Sequence, residues 1–148
     1  MTGSADDATQ MTESVAAMLA HDAFSAWLGV ELVSVRPGHC ALAMRVRDDM
    51  LNGFGVSHGG IAYSLADSAM AFACNSGSHV TVAVDNQMTY PAPVHAGDAL
   101  VVVAEEETTT GRLGFYRATV RNQHGAVVAL FRGTVYRTRR PHPVNINP

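Results

Sequence analysis

The stretch that most constrains the fold is Gly59 to Ser76, GGIAYSLADSAMAFACNS. It is rich in Ala, Leu and Met and poor in β-branched residues, and its 18 residues read as a helix. Apolar residues fall on every side of it, the pattern of a helix buried all round. A chain of 148 residues has room for one core, so the rest of the chain must enclose this helix. Four runs rich in Val, Thr, Tyr and Phe follow, at 79–90, 99–107, 113–122 and 126–137. Turn signals separate them at Pro91-Ala92-Pro93, Thr110-Gly111 and His124-Gly125. Connections this short exclude parallel crossovers. Ahead of the helix, VELVSVRPGHCALAMRVR alternates on both sides of Arg36-Pro37-Gly38-His39, which reads as a β-hairpin. The expected fold is α+β: a hairpin, a buried helix, then a four-stranded antiparallel meander. One antiparallel β-sheet wraps around one long central helix.

Toward the N-terminus, Val15, Met18, Leu19, Phe24, Trp27 and Leu28 recur at helical spacing. Thr12 or Ser14 can cap that helix and Gly29 can end it. Residues 1–11 read as a disordered leader and residues 139–148, with three prolines, as a flexible tail. A single domain over 12–138 remains. The hydrophobic fraction is 47% against 16% charged, the reverse of a disordered chain. With a mean hydropathy of +0.07, the surface has apolar area that a partner chain can cover. A net charge of −3 argues against a nucleic-acid partner. Every basic residue is arginine, which removes lysine Schiff-base chemistry. No apolar run is long enough for a membrane-spanning helix, and the first residues lack the pattern of a signal peptide. Cys40 and Cys74 form no CxxC and read as reduced thiols of a cytoplasmic protein.

Asp67 breaks the apolar pattern of the helix. Its wheel neighbours are Tyr63, Ser64, Met70, Ala71 and Cys74, with no cation among them. Burial without a partner is costly for a carboxylate and raises its pKa, so such a group usually has a use. The structural alternative is a local bond to Ser64 or Tyr63, or an arginine from a distant strand. Immediately before the helix lies NGFGVSHGG, Asn52 to Gly60, in a glycine-rich loop. Gly59 and Gly60 lack Cβ atoms, so a ligand can approach the N–H groups of the first helical turn. These are unpaired and sit at the positive end of the helix dipole, a suitable place for a developing oxyanion. Asn52 adds a side-chain amide, and His58 can orient the loop or donate.

Other chemistries lack their signatures. The seven histidines show no metal-ligand spacing, and there is no GxSxG, GxGxxG or Walker loop. No cofactor is expected.

The run HGGIAYSLADSAMAFACNSG, with Asn52 upstream and ALFRGTVYR near the end, resembles the PaaI thioesterases of phenylacetate degradation. These belong to the hotdog-fold thioesterase superfamily, and the similarity spans residues 14–138. The resemblance implies hydrolysis of an acyl-CoA thioester. Asp67 would act as nucleophile or general base, Gly59 N–H would polarise the thioester carbonyl, and Asn52 would assist with carbonyl or water. The resemblance also implies a homodimer that doubles into a homotetramer, with Asp67 of one chain facing Gly59 of the other. Gly60, Ala83, Asp85, Tyr90, Gly111 and Arg112 would contact the substrate. Some relatives carry a serine near position 83 that orients water; here Ala83 offers a methyl group, with Thr81 two residues back.

Two other readings compete. A hotdog hydratase acting on enoyl or hydroxyacyl thioesters needs a histidine–carboxylate pair, for which His58 and Asp67 are the candidates. A non-catalytic acyl-CoA-binding module would need no Asp67. Tyr63, Met70, Phe54 and Met88 suggest an apolar acyl pocket suited to aryl or medium-chain groups.

Overall fold

The hairpin forms as expected, with β1 (Glu31–Arg36) and β2 (His39–Arg45) antiparallel about Pro37-Gly38. Gly38 takes φ +68°, a conformation that side chains disfavour, and this closes the turn tightly. The computed structural model describes residues 5–143. The remaining strands are β3 (His79–Thr89), β4 (Ala99–Thr110), β5 (Leu113–Arg121) and β6 (Val127–Pro141). Among the described residues they join the hairpin in one sheet, ordered β1-β2-β4-β5-β6-β3, with every pair antiparallel.

That order corrects the expected four-stranded meander. Only β4, β5 and β6 follow one another; β3 lies at the far edge beside β6. The Pro91-Ala92-Pro93 connection is not a hairpin turn. Prolines hold the chain extended, and residues 90–98 reach up to roughly 30 Å, enough to cross three strand spacings of about 4.8 Å. On the way it passes the loop before the central helix, where Ser57 N–H donates to Val94 C=O at 2.7 Å.

The central helix, α3 (Gly59–Cys74), packs on the sheet through Ile61, Leu65, Ala66, Ala69, Phe72 and Ala73. Alanine at half of these places lets the helix lie close over Leu42, Val102, Ala118, Val120 and Phe131, all at most 1% exposed. Burying a residue such as Leu65 contributes about 1.5–3 kcal/mol relative to leaving it in water. The helix is not covered on every side, however. Tyr63, Ser64, Asp67, Ser68, Ala71 and Cys74 form a half-buried stripe that the sheet does not close over.

The N-terminal helix is divided into α1 (Ala5–His21) and α2 (Ala23–Leu28). Asp22 causes the break, because its carboxylate accepts from Ser25 N–H at 2.9 Å and from Ser25 Oγ at 2.7 Å and restarts the helix as an N-cap. Gly29 ends α2 at φ +79°, as expected. The first helix starts at Ala5 rather than at Thr12 or Ser14, and the first four residues of the expected leader lie outside the described residues. At the other end, β6 continues to Pro141 against His79, so residues 139–141 of the expected tail are strand. Residues 144–148 lie outside the described residues.

Candidate active site

The loop before α3 is built by Asn52. Its Oδ1 accepts from Phe54 N–H at 2.9 Å and Val56 N–H at 3.4 Å, and its own N–H donates to Val56 C=O at 2.7 Å. Gly55, at φ +78°, completes the reversal. The Asn52 carbonyl is thus engaged by the loop, and the amide NH₂ is the part left for a ligand. Phe54, at the tip, is 93% exposed. Met70 is buried, and Met88 and Tyr63 pack against the core.

His58 is the N-cap of α3. Its Nδ1 accepts from Gly60 N–H at 2.9 Å. The Gly60 N–H is therefore satisfied inside the chain and is not the donor it could have been for a carbonyl. A Cβ at Gly60 would lie 3.0 Å from His58 Nδ1, so glycine at 60 makes the cap possible. Gly59 N–H has no acceptor among the described residues. Tyr90 Oη donates to Gly59 C=O at 2.8 Å, and a Cβ at Gly59 would lie 3.3 Å from the Tyr90 ring. Tyr90 thus packs on the helix start and holds Gly59 in place.

Asp67 sits two turns further on, half-buried. Burial raises its pKa above the ordinary carboxylate range, and a hydrogen bond from Asn86 opposes part of that shift. Asn86 Nδ2 donates to Asp67 Oδ1 at 3.1 Å and to Tyr63 Oη at 3.0 Å. The Tyr63 ring meets Phe131 edge-on at 5.9 Å. Neither of the local bonds weighed for Asp67 forms: Ser64 Oγ donates to Gly60 C=O at 2.6 Å, and Tyr63 turns to Asn86. Among the described residues Asp67 has no ion pair.

Asn86 was not legible from the alternation of β3. Thr81 is buried, the next four residues are exposed, and Asn86 and Met88 are half-buried. A register shift between Ala83 and Asp85 changes the inward positions from odd to even. Ala83 and Asp85 therefore stand exposed on the edge strand. Thr81, which strict alternation pairs with Ala83, is bound elsewhere. Its N–H donates to Asn75 Oδ1 at 2.8 Å and its Oγ1 to His79 C=O at 3.2 Å, at the C-terminal end of α3. The one signal available was an Asp-Asn pair in a strand, where both residues are disfavoured.

Gly111 and Arg112 form the β4–β5 turn, with Gly111 at φ +60°. Arg112 Nη1 donates to Arg137 C=O at 3.0 Å, so the turn is tied to β6. Arg137 pairs with Thr81 on β3. Five residues separate Thr81 from Asn86, which puts this turn about 16 Å along the sheet from the level of Asp67. The predicted residues thus fall into four groups within one chain: the helix start (Asn52, His58, Gly59, Gly60, Tyr90), the middle of the helix (Asp67), the edge strand β3 (Ala83, Asp85) and the β4–β5 turn (Gly111, Arg112).

Cysteine chemistry has no support at this site, because burial pushes both the Cys40 and Cys74 thiols up to about 12. No group of three or more His, Cys, Asp or Glu side chains is placed to hold a metal ion among the described residues. No described helix is long and apolar enough to cross a membrane.

Comparison with known proteins bears directly on this arrangement. The family model for the thioesterase superfamily matches residues 54–129, a span that holds Gly59, Asp67 and Asn86. The acyl-coenzyme A thioesterase PaaI of Escherichia coli K12 is 38% identical over 121 residues, 82% of this chain and 86% of that protein. The structure of the E. coli PaaI protein from the phenylacetic acid degradation operon superposes with a TM-score of 0.87 at 34% identity, covering 90% of this chain and 97% of that one. A Streptococcus mutans protein solved bound to acetyl-CoA matches with a TM-score of 0.71 at 26% identity, over 74% of this chain and 88% of its own. Likeness of this extent, in sequence and in fold together, means that the chain belongs to the thioesterase superfamily, whose hotdog architecture is the sheet and helix described above.

Proposed function

We propose that this protein is an acyl-CoA thioesterase whose active site is completed between two copies of the chain. The observation that carries the reading is the placement of the two reactive features on one helix. Gly59 offers a free N–H at the positive end of α3, and Asp67 offers a half-buried carboxylate eight residues later. Eight residues of α-helix span about 12 Å, too far for both groups of one chain to meet a single carbonyl. A two-fold related copy brings Gly59 of one chain to Asp67 of the other. The half-buried stripe of α3 and the open edge of β3, where Val82 and Val84 are 45% and 58% exposed, support such pairing. Val101, Val103 and Leu130 are exposed on other strands and support doubling of the dimer into a tetramer.

In this site the thioester oxygen lies against Gly59 N–H, with the Asn52 amide NH₂ as second donor. Both stabilise the negative charge that develops on the oxygen as the carbonyl is attacked. Asp67 is the attacker, either directly or by taking a proton from water. Both routes need the ionised carboxylate, and a pKa raised by burial makes that carboxylate a stronger base. The bond to sulfur breaks, CoA leaves as thiol or thiolate, and water supplies the oxygen of the free acid. His58 and Gly60 serve by capping the helix that presents Gly59, and Tyr90 serves by packing on it. Arg112, with Gly111 in the same turn, offers a cation to the CoA phosphates, while Ala83 and Asp85 line the open edge of β3. The acyl group is aryl-acetyl, as the E. coli relative's operon suggests, and the free thiols support a reducing cytoplasmic setting.

The hydratase alternative is disfavoured by the helix cap: His58 Nδ1 accepts from Gly60 N–H, so that nitrogen is not free to take a substrate proton. Following thiol release with phenylacetyl-, benzoyl- and fatty acyl-CoA tests the proposal. A kcat/KM highest for the aryl-acetyl ester is expected. Binding without thiol release from any ester would make the protein a carrier instead.

A further inference from the structure

The side chain facing Asp67 comes from neither the loop nor the helix but from β3. We propose that Asn86 is a positioning residue that holds the Asp67 carboxylate in its reactive orientation, with Tyr63 as the brace. The inference rests on Asp67 being the reactive carboxylate.

Three observations carry it. The first is the geometry: one amide nitrogen donates at 3.1 Å to Asp67 Oδ1 and at 3.0 Å to Tyr63 Oη. Its two hydrogens are both engaged, which fixes the amide at two points. Tyr63 is itself fixed by its edge-on contact with Phe131. The second is the other end of the same amide. Asn86 Oδ1 is buried and has no hydrogen-bond partner among the described residues. Turning the amide over would set its oxygen against the Asp67 carboxylate, acceptor facing acceptor, and would take the N–H donor away from that carboxylate. An unpaired buried acceptor is destabilising. A polar amide kept under those conditions has a use at the end that does bond. The third is the space made for it. Asn86 lies opposite Gly133 of β6, and a Cβ there would come 3.0 Å from Asn86 Oδ1 and overlap Met70 Sδ. The register shift in β3, the missing side chain at 133 and the amide at 86 act together on one carboxylate.

The arrangement also answers the absence of a hydroxyl at Ala83. The polar contact from β3 to the carboxylate comes from Asn86 instead, three residues on and past the bulge. The groups around the Asp67 carboxyl are Tyr63 on its own helix, Asn86 from β3, and more distantly the Cys74 thiol, which feels its charge. Asn86 donates to the ionised form, so removing it leaves burial unopposed and raises the Asp67 pKa further.

The test uses the full-length protein and two readouts. Carboxyl NMR titration, with the Asp67 signal identified by Asp67→Asn, follows its midpoint directly; kcat and KM are measured across pH with an aryl-acetyl CoA ester. In Asn86→Ala the Asp67 midpoint rises, kcat falls about tenfold or more with KM nearly unchanged, and the acidic limb moves to higher pH. At neutral pH the thermal midpoint falls modestly, because the buried Asp67 carboxylate loses the donor that offset its burial. Gly133→Ala, which leaves Asn86 in place but crowds its amide, shifts the same quantities in the same direction by less. An unmoved Asp67 midpoint in Asn86→Ala overturns the proposal, as does a falling thermal midpoint with kcat preserved. Wild-type kcat in Asp67→Asn would instead remove the reading on which the inference rests, and the titration midpoint would still decide whether Asn86 holds the carboxylate.

Discussion

Strands β5 and β3 lie on either side of β6 and obey different rules. β5 alternates without a break: Gly114, Tyr116, Ala118 and Val120 point to the core, and the residues between them point out. β3 carries register shifts at His79/Thr81 and Ala83/Asp85 and alternates only from Asp85 to Thr89, with Asn86 and Met88 inward. β5 is paired on both edges, so a bulge there would break two ladders. β3 has one neighbour and a free edge, so the bulge disrupts a single ladder. The sheet interior holds the helix, and the irregular edge delivers a polar group to it. Function sits where the regular pattern could be broken with least loss.

That contrast can be tested most strongly at the carboxylate. Asp67→Asn keeps the size and a hydrogen-bonding tip but removes the base, so kcat is expected to fall by roughly 10²-fold or more with KM little changed. Stability should move the other way. The Asp67 pKa is raised in the folded protein, so ionisation opposes folding: the penalty is absent below the ordinary carboxylate range and fully present above the raised pKa. Asp67→Asn removes it and should raise the thermal midpoint at neutral pH. The same sign makes wild-type activity climb as pH rises through that pKa. A destabilised variant with wild-type kcat would make Asp67 structural and erase the contrast.

A smaller effect is expected from the outer edge of β3. Val84→Arg places a charge where two copies would pair, and it touches none of the residues argued to do chemistry. Light scattering should shift toward the 15.7 kDa chain, and activity at low protein concentration should fall about tenfold as the shared site comes apart. Full activity from a monomer would show that one chain suffices. The smallest effect on turnover belongs to the regular part of the sheet. Leu100 on β4 is fully buried, and Leu100→Ala should cost about 2–5 kcal/mol of stability while kcat of the folded fraction stays within about twofold. A large kcat loss there would mean that the core and the site are not separable.

Much of the architecture was legible because burial imposes a period on the residues that make it. The Ala-rich helix, the hairpin about Pro37-Gly38 and the end of α2 at Gly29 all follow from local chemistry. So did the anomaly of Asp67 and the glycines before it, since a carboxylate in an apolar helix is visible without coordinates. The break at Asp22 was not legible, since the apolar spacing runs on to Leu28 as one helix; the Asp22 carboxylate that caps Ser25 decides it.

What the amino-acid order determined by itself was therefore the elements, and the two reactive features carried by one of them. The tertiary structure decided the rest. It put β3 beside β6, because a nine-residue connection stiffened by prolines crosses the sheet where a tight turn would not. It gave His58 to the helix cap, which left Gly59 as the free donor. It also brought Asn86 to Asp67 across 19 positions of chain, through a bulge that exchanges the two faces of a strand. Such a contact depends on register, and register is set by the sum of all pairings along a sheet rather than by any residue within it.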